Sequence, residues 1–218
     1  MPRIIDVLLS ILALFVLLPL FIPIVIILLL TGEHKVFYLQ TRVGYRNKNF
    51  KIIKFATMLS NSANMGSGSL TLRNDPRVLP FGSFLRKTKI NELPQILNII
   101  IGDLSIVGPR PQMQVDFEKY SDDVQGKIYN VRPGLTGIGS IVFRDEESLI
   151  SLGAENEDPH DFYKRVIAPY KGELEMWYQE NYSIYLDFQL IFMTAWVILF
   201  PKSKLYNKWF KNLPEKSF

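Results

Sequence analysis

The stretch KTKINELPQILN, residues 87–98, sets an amide and a carboxylate side by side, Asn91 and Glu92, just ahead of a Leu-Pro step. Two carboxylates at such a spot would suit covalent or metal-assisted chemistry. An amide is neutral and a much poorer nucleophile, although its oxygen accepts hydrogen bonds and can touch a metal weakly. Further along, GPRP holds Arg110 between Pro109 and Pro111, which stiffen its backbone. A guanidinium grips phosphate oxygens in a planar fork, whereas a lysine offers a point charge. These residue types point to a phosphorylated ligand; the plainer alternatives are a solvated Glu and a surface Arg in a turn. His34 and His160 are isolated and suggest no metal site, and there is no Cys for a disulfide or thiolate site. Neither a Walker-type glycine loop nor a dinucleotide fingerprint occurs, so kinase-type ATP chemistry and NAD chemistry have no support.

The elements that must position these residues begin with a membrane question. The chain has 218 residues, 48% hydrophobic and 21% charged, which excludes a wholly disordered protein. Its net charge of +4 fits an anionic partner: a phosphorylated ligand, a lipid surface or nucleic acid. Residues 7–30 carry no charge and one polar side chain, Ser10, a run long enough for a bilayer core of about 30 Å. A secretory signal would have a shorter apolar region and a small-residue cleavage site after it, and neither is present. Pro19 and Pro23 lie mid-run, each removing a backbone donor, so a kink is expected. A kinked span straight through the bilayer and a re-entrant helix returning to the same face stand even on these grounds. Lys35, Arg42, Arg46, Lys48, Lys51 and Lys54 follow the run, which favours a cytoplasmic location for what comes after it. A second apolar stretch, 188–200, is too short to cross. It leads into Lys202, Lys204, Lys208 and Lys211 interleaved with Tyr206, Trp209 and Phe210, a pattern for a segment lying on anionic lipid. The alternative is a buried helix with a solvated tail. Nucleic acid is disfavoured, because the basic residues adjoin membrane-type segments.

Between these, Gly44 and Asn47 punctuate two aromatic and β-branched runs in 36–58, which reads as a hairpin. Residues 60–74 are rich in Ser, Asn and Gly and read as a mobile loop. A helix is expected over 83–100, stopped by Gly102 and divided in two if Pro94 interrupts it. SIVGPRPQ reads as a short strand entering a rigid loop, DFEKYSDDVQGKIYNV as helical, RPGLTGIGSIVF as a turn and strand, and a helix is expected after Asp158. The part after the membrane segment reads as one mixed α and β unit.

Several pieces in this order, TRVGYRNKNFKIIKFATM, DPRVLPFGSFLRKTKINELPQILNIIIGDLSIVGPRP, RPGLTG and YSIYLD, follow the proline-containing apolar helix. Over nearly the whole chain they resemble the monotopic phosphoglycosyl transferases, the bacterial sugar transferase family that starts glycan assembly on polyprenyl phosphate. The resemblance implies an α+β fold, with a proline-broken re-entrant membrane helix in 1–32 and a compact catalytic domain with amphipathic interfacial helices in 33–218. It places the protein in the bacterial inner membrane with the catalytic domain on the cytoplasmic face. It also implies Mg²⁺-dependent transfer of a sugar phosphate from a UDP-sugar to polyprenyl phosphate, releasing UMP, by a ping-pong route through an aspartyl-phosphosugar. UDP-sugar, polyprenyl phosphate and membrane lipid are the implied partners, nucleic acid is not, and a homodimer is left open.

The family's core is an Asp-Glu pair before Leu-Pro-Gln, and here Asn91 stands where the covalent Asp is expected. A natural variant with Glu92 taking over as nucleophile or metal ligand, an engineered inactivation and a silent paralogue all accommodate this. The non-catalytic rival is a membrane-anchored protein that binds nucleotide sugars or partner glycosyltransferases. Asp103 matches the family's Gly-Asp step, as a metal contact alongside Glu92 or as a turn residue. Lys54 aligns with a family Lys near the active site, while Ala56 stands where Arg is common. Arg77, Arg110 and Arg132 are substrate-binding candidates, with structural salt bridges as the alternative for Arg77 and Arg132. Asp187 either caps its helix or faces the site.

Overall fold

The computed structural model describes residues 1–216. Helix α1, Arg3–Leu30, continues through Pro19 and Pro23 as one element. It is about 42 Å long by the usual rise per residue. Its two ends pack on the rest of the chain and its middle does not. At the start, Arg3 Nη2 donates to the Ile100 carbonyl at 3.0 Å. Asp6, fully buried, accepts from Ser105 Oγ at 2.8 Å and from the Ile106 N–H at 2.9 Å. At the other end Ile24 and Leu28 pack with Phe55 and Leu85. Between them Leu12, Phe15, Val16 and Ile22 are exposed.

The expected hairpin is present: β1 (Phe37–Val43) pairs antiparallel with β2 (Asn49–Phe55), Tyr38 opposite Lys54. Its turn uses left-handed backbone at Arg46 and Asn47. Residues 60–74 wrap around one buried cation. Arg77 Nη1 donates to the carbonyls of Ser62, Met65 and Gly68, each at 2.8 Å, and Nη2 to that of Leu70 at 2.6 Å and to Asp75 at 2.6 Å. One guanidinium thus satisfies backbone acceptors that a segment without helix or strand leaves open. Replacing Arg77 with Leu orphans those carbonyls and the Asp75 carboxylate together, and should cost about 3–5 kcal/mol of stability. A thermal melt of the variant checks this.

The helix expected over 83–100 is three pieces: α2 (Pro80–Lys87), a 3₁₀ turn (Ile90–Glu92) and α3 (Gln95–Ile101). The break N-terminal to Pro94 comes from Lys89, which takes the left-handed conformation at φ 61°. Gly102, at φ 116°, ends α3 as expected. Strand β3 (Ser105–Val107) is followed by α4 (Gln114–Phe117) and α5 (Asp122–Lys127), and pairs parallel with β4 (Gly134–Thr136). The strands approach at Gly134, where a β-carbon would lie 2.1 Å from the Gly108 nitrogen. Only GLT of the expected RPGLTGIGSIVF strand is strand: Ile138–Val142 forms α6, whose Ile138 and Ile141 join the core. A short apolar run fits a buried helix as well as a strand, and packing decided for the helix.

After α7 (Glu146–Gly153), Asp158 caps α8 (Pro159–Phe162) by accepting the His160 N–H at 2.7 Å. A π turn over 163–167 joins it to α9 (Ala168–Glu180), whose Leu174 and Tyr178 lie in the main core. Helix α10 (Ile184–Leu199) starts at the Ser183 cap, earlier than the apolar run. It buries Leu186, Leu190, Met193 and Val197 and exposes Tyr185, Phe188, Phe192 and Leu199. Helix α11 (Leu205–Trp209) follows, with Trp209 against Phe192 at 5.4 Å between ring centroids.

Candidate active site

Strand β2, the 3₁₀ turn after α2 and the loop after β3 meet at a cavity of about 440 Å³. Asn98 sets their spacing. From α3, its Oδ1 accepts the Ile53 N–H at 2.9 Å and its Nδ2 donates to the Lys51 carbonyl at 2.8 Å, so its amide acts as an extra rung beside β2. That brings Lys54 of β2 to 3.9 Å from Glu92 of the turn. Arg110 reaches the same carboxylate with both arms of its fork, Nη2 to Oε1 at 2.6 Å and Nη1 to Oε2 at 3.3 Å. The Pro-Arg-Pro loop is itself fixed. Tyr129 donates its hydroxyl to the Arg110 carbonyl at 2.9 Å, Arg42 Nη1 donates to the Pro111 carbonyl at 3.3 Å, and the Arg110 N–H donates to Glu175 Oε1 at 3.3 Å.

Asn91 lines the same cavity, buried, and its Oδ1 has no hydrogen-bond partner among the described residues. Seven basic and four acidic side chains line the space, so it carries an excess of positive charge suited to a polyanion. Burial alone would raise the Glu92 carboxyl, but Arg110 and Lys54 outweigh it and hold that carboxyl well below the usual carboxylate range. Burial pushes the Lys54 ammonium well down, Glu92 only partly opposing. An anionic ligand would favour its charged form and oppose that push.

Of the residues singled out in the sequence, Asn91, Glu92, Lys54 and Arg110 come together here. Arg77, Asp103, Arg132 and Asp187 do not line the cavity. Arg77 holds the 60–74 segment. Asp103 accepts from Asn98 Nδ2 at 3.3 Å at the far end of α3. Arg132 is exposed, donates to the Gly102 carbonyl at 3.1 Å and lies over the Tyr45 ring. Asp187, fully buried in the first turn of α10, accepts the Tyr178 hydroxyl at 2.8 Å and pairs with the Met1 amine at 2.8 Å. Pro19 and Pro23 lie within the exposed middle of α1.

Sequence reasoning missed an outer ring of charge. Arg86 pairs with Glu147, and Lys171 pairs with Glu146 at 2.7 Å, all four lining the cavity. Arg86 and Lys89 stand in the basic run before Asn91, a signal that was available; Lys171 and Glu175 have no local signature. Glu175 is buried on α9 and its carboxyl is pushed up to about 7 by desolvation, the Arg110 N–H opposing. A carboxyl raised in the fold keeps a proton that the unfolded chain has lost, so stability should fall as pH climbs from about 4.5 to 7. Glu175→Gln should abolish that slope and stabilise the protein at pH 8 by up to about 3 kcal/mol, with little change at pH 4, in melts across that range.

The family described as Bacterial sugar transferase matches residues 1–201, a stretch that contains every group of this site. The chain belongs to the bacterial sugar transferase family. Among its curated relatives is the exopolysaccharide production protein ExoY of Sinorhizobium fredii, 35% identical over 203 residues, which are 87% of this chain and 81% of that protein. The UDP-N-acetylgalactosamine-undecaprenyl-phosphate N-acetylgalactosaminephosphotransferase of Aeromonas hydrophila is 31% identical over 201 residues, 89% of this chain and 42% of that protein. The UDP-glucose:undecaprenyl-phosphate glucose-1-phosphate transferase of Escherichia coli is 31% identical over 192 residues, 87% of this chain and 38% of that protein. The chain therefore spans less than half the length of the last two.

Proposed function

We propose that the chain is a phosphoglycosyl transferase that moves a sugar phosphate from a UDP-sugar to polyprenyl phosphate. In the net reaction, an oxygen of polyprenyl phosphate bonds to the sugar-bearing phosphorus of the donor. The bond from that phosphorus to the bridging oxygen breaks, and UMP leaves. The observation that carries this reading is the cluster of Lys54, Glu92 and Arg110 around Asn91 in a cavity with excess positive charge. Family membership and the names of the relatives point the same way.

In this reading Lys54 and Arg110 meet the donor's phosphates, where fixed cations stabilise charge moving to the leaving group. In this reading Asn91 and Glu92 would hold Mg²⁺. The orphaned Asn91 Oδ1 and the Glu92 carboxylate are neighbouring oxygen donors, and Mg²⁺ commonly takes one or two such groups with phosphate oxygens and water. Bound there, the ion would supply further neutralisation of phosphate charge. Arg77, Asp103, Arg132 and Asp187 act at one remove, by holding the segments that frame the site.

The membrane part of the proposal is a re-entrant α1 with both ends at the cytoplasmic face of the inner membrane. Its support is that Arg3 and Asp6 at one end, and Ile24 and Leu28 at the other, engage the same domain while the middle stays exposed and apolar. The exposed aromatics of α10 and the lysines around α11 suit the lipid surface beside it. A site held at headgroup depth meets the acceptor's phosphate without extracting the lipid.

One observation favours a second reading, a chain that binds the donor without turning it over. Both Glu92 oxygens are engaged by the Arg110 fork, which makes Glu92 an anchor more than a nucleophile. Detergent-purified protein with Mg²⁺, polyprenyl phosphate and a panel of UDP-sugars separates the two. Release of UMP that requires the lipid phosphate supports transfer. Binding of a UDP-sugar with no UMP in any mixture supports the silent binder.

A further inference from the structure

Lys89 shares the cavity with Asn91 and Glu92. Its backbone is left-handed, φ 61° and ψ 9°, at the place just past a helix where glycine or asparagine is the usual residue. Its N–H donates to the Arg86 carbonyl at 3.1 Å, and its carbonyl accepts the Glu92 N–H at 3.1 Å. The same residue therefore closes α2 and opens the turn that carries Asn91 and Glu92. A side chain with a β-carbon is crowded in this conformation, and such outliers gather at functional sites where the surroundings enforce them.

Charge supplies an independent argument. Glu92 pairs with Lys54 and Arg110, Glu147 with Arg86, and Glu146 with Lys171. Lys89 forms no ion pair of its own among the described residues, although it lines the cavity and is only partly exposed. An anion in the cavity would offset the partial desolvation of this ammonium.

Resting on the transferase reading, we propose that Lys89 is a phosphate-binding residue of this site and contacts the diphosphate of the nucleotide donor. The strained backbone is then the means by which its ammonium is aimed into the cavity.

Titration of the full chain in detergent with UDP, Mg²⁺ present throughout, tests this with Lys89→Gly and Lys89→Arg. Glycine suits the left-handed backbone, so Lys89→Gly should melt no lower than the parent. It should nonetheless bind UDP about tenfold more weakly, the loss of one charge-assisted contact. Lys89→Arg should recover most of the affinity. Lys89→Gly binding UDP as tightly as the parent would overturn the proposal, and so would a loss matched by a lower melting temperature and not recovered by arginine. Folded parent protein that binds no UDP would overturn the donor reading itself, and this proposal with it.

Discussion

Asn91→Asp should raise UMP release by on the order of a hundredfold to ten-thousandfold, the range a positioned catalytic group contributes. The substitution is nearly isosteric: Nδ2 becomes an oxygen, and Oδ1, which has no partner among the described residues, is kept. What changes is charge. A carboxylate at position 91 can attack phosphorus, which the amide does poorly. Burial opposes its ionisation, but the positive excess that holds the neighbouring Glu92 carboxyl down acts on position 91 as well. The same added charge should weaken UDP binding, since one unit of the positive excess is cancelled. Faster turnover together with weaker nucleotide binding is therefore expected, and steady-state kinetics beside a UDP titration read both. Unchanged turnover in Asn91→Asp would mean that position 91 is not where the donor reacts.

Glu92→Gln should remove turnover even in the Asn91→Asp background, by at least about a thousandfold, because three cavity groups depend on one carboxylate. Arg110 loses one half of its fork and the negative charge opposite it, Lys54 loses the anion it pairs with, and only one neutral acceptor oxygen remains beside Asn91. Arg110 and Lys54 then lie part-buried and uncompensated, so stability should fall as well, by about 3 kcal/mol or more for a pair broken from one side. The pH dependence has the opposite sign to that of Glu175. Because the Glu92 carboxyl is depressed in the fold, its contribution is present above about pH 4.5 and is lost as the solution is acidified further. Melts of Glu92→Gln against pH should lack that acid-side loss. Retained stability with lost turnover would assign Glu92 to chemistry alone.

How much of this was legible in the sequence can be traced residue by residue. The β1–β2 hairpin was, because Gly44 and Asn47 punctuate runs whose composition suits strands, and local chemistry decides such a turn. The convergence of Lys54, Asn91, Glu92 and Arg110 came from motif order, since nothing local tells β2 to lie beside the 3₁₀ turn. The contact that brings them together, Asn98 on β2, is an amide in a helix with no signature of its own. Arg77 in the DPR step looked suited to phosphate, yet backbone carbonyls claim it, because the irregular 60–74 segment has acceptors to satisfy. The break at Lys89 was invisible, because a lysine in left-handed backbone defies its own preference and only the folded surroundings enforce it. The α6 helix was misread as strand for the complementary reason: Ile138 and Ile141 are claimed by the core, and a five-residue run has too little periodicity to show it.

The reaction itself is tested most directly by following the phosphorus. With UDP-sugar labelled at the sugar-bearing phosphate, polyprenyl phosphate and Mg²⁺, the Asn91→Asp protein should carry the label into an organic-extractable lipid and leave unlabelled UMP in water. Label that stays in the aqueous phase across a complete panel of UDP-sugars, from folded protein that binds UDP, would contradict transfer to the lipid phosphate.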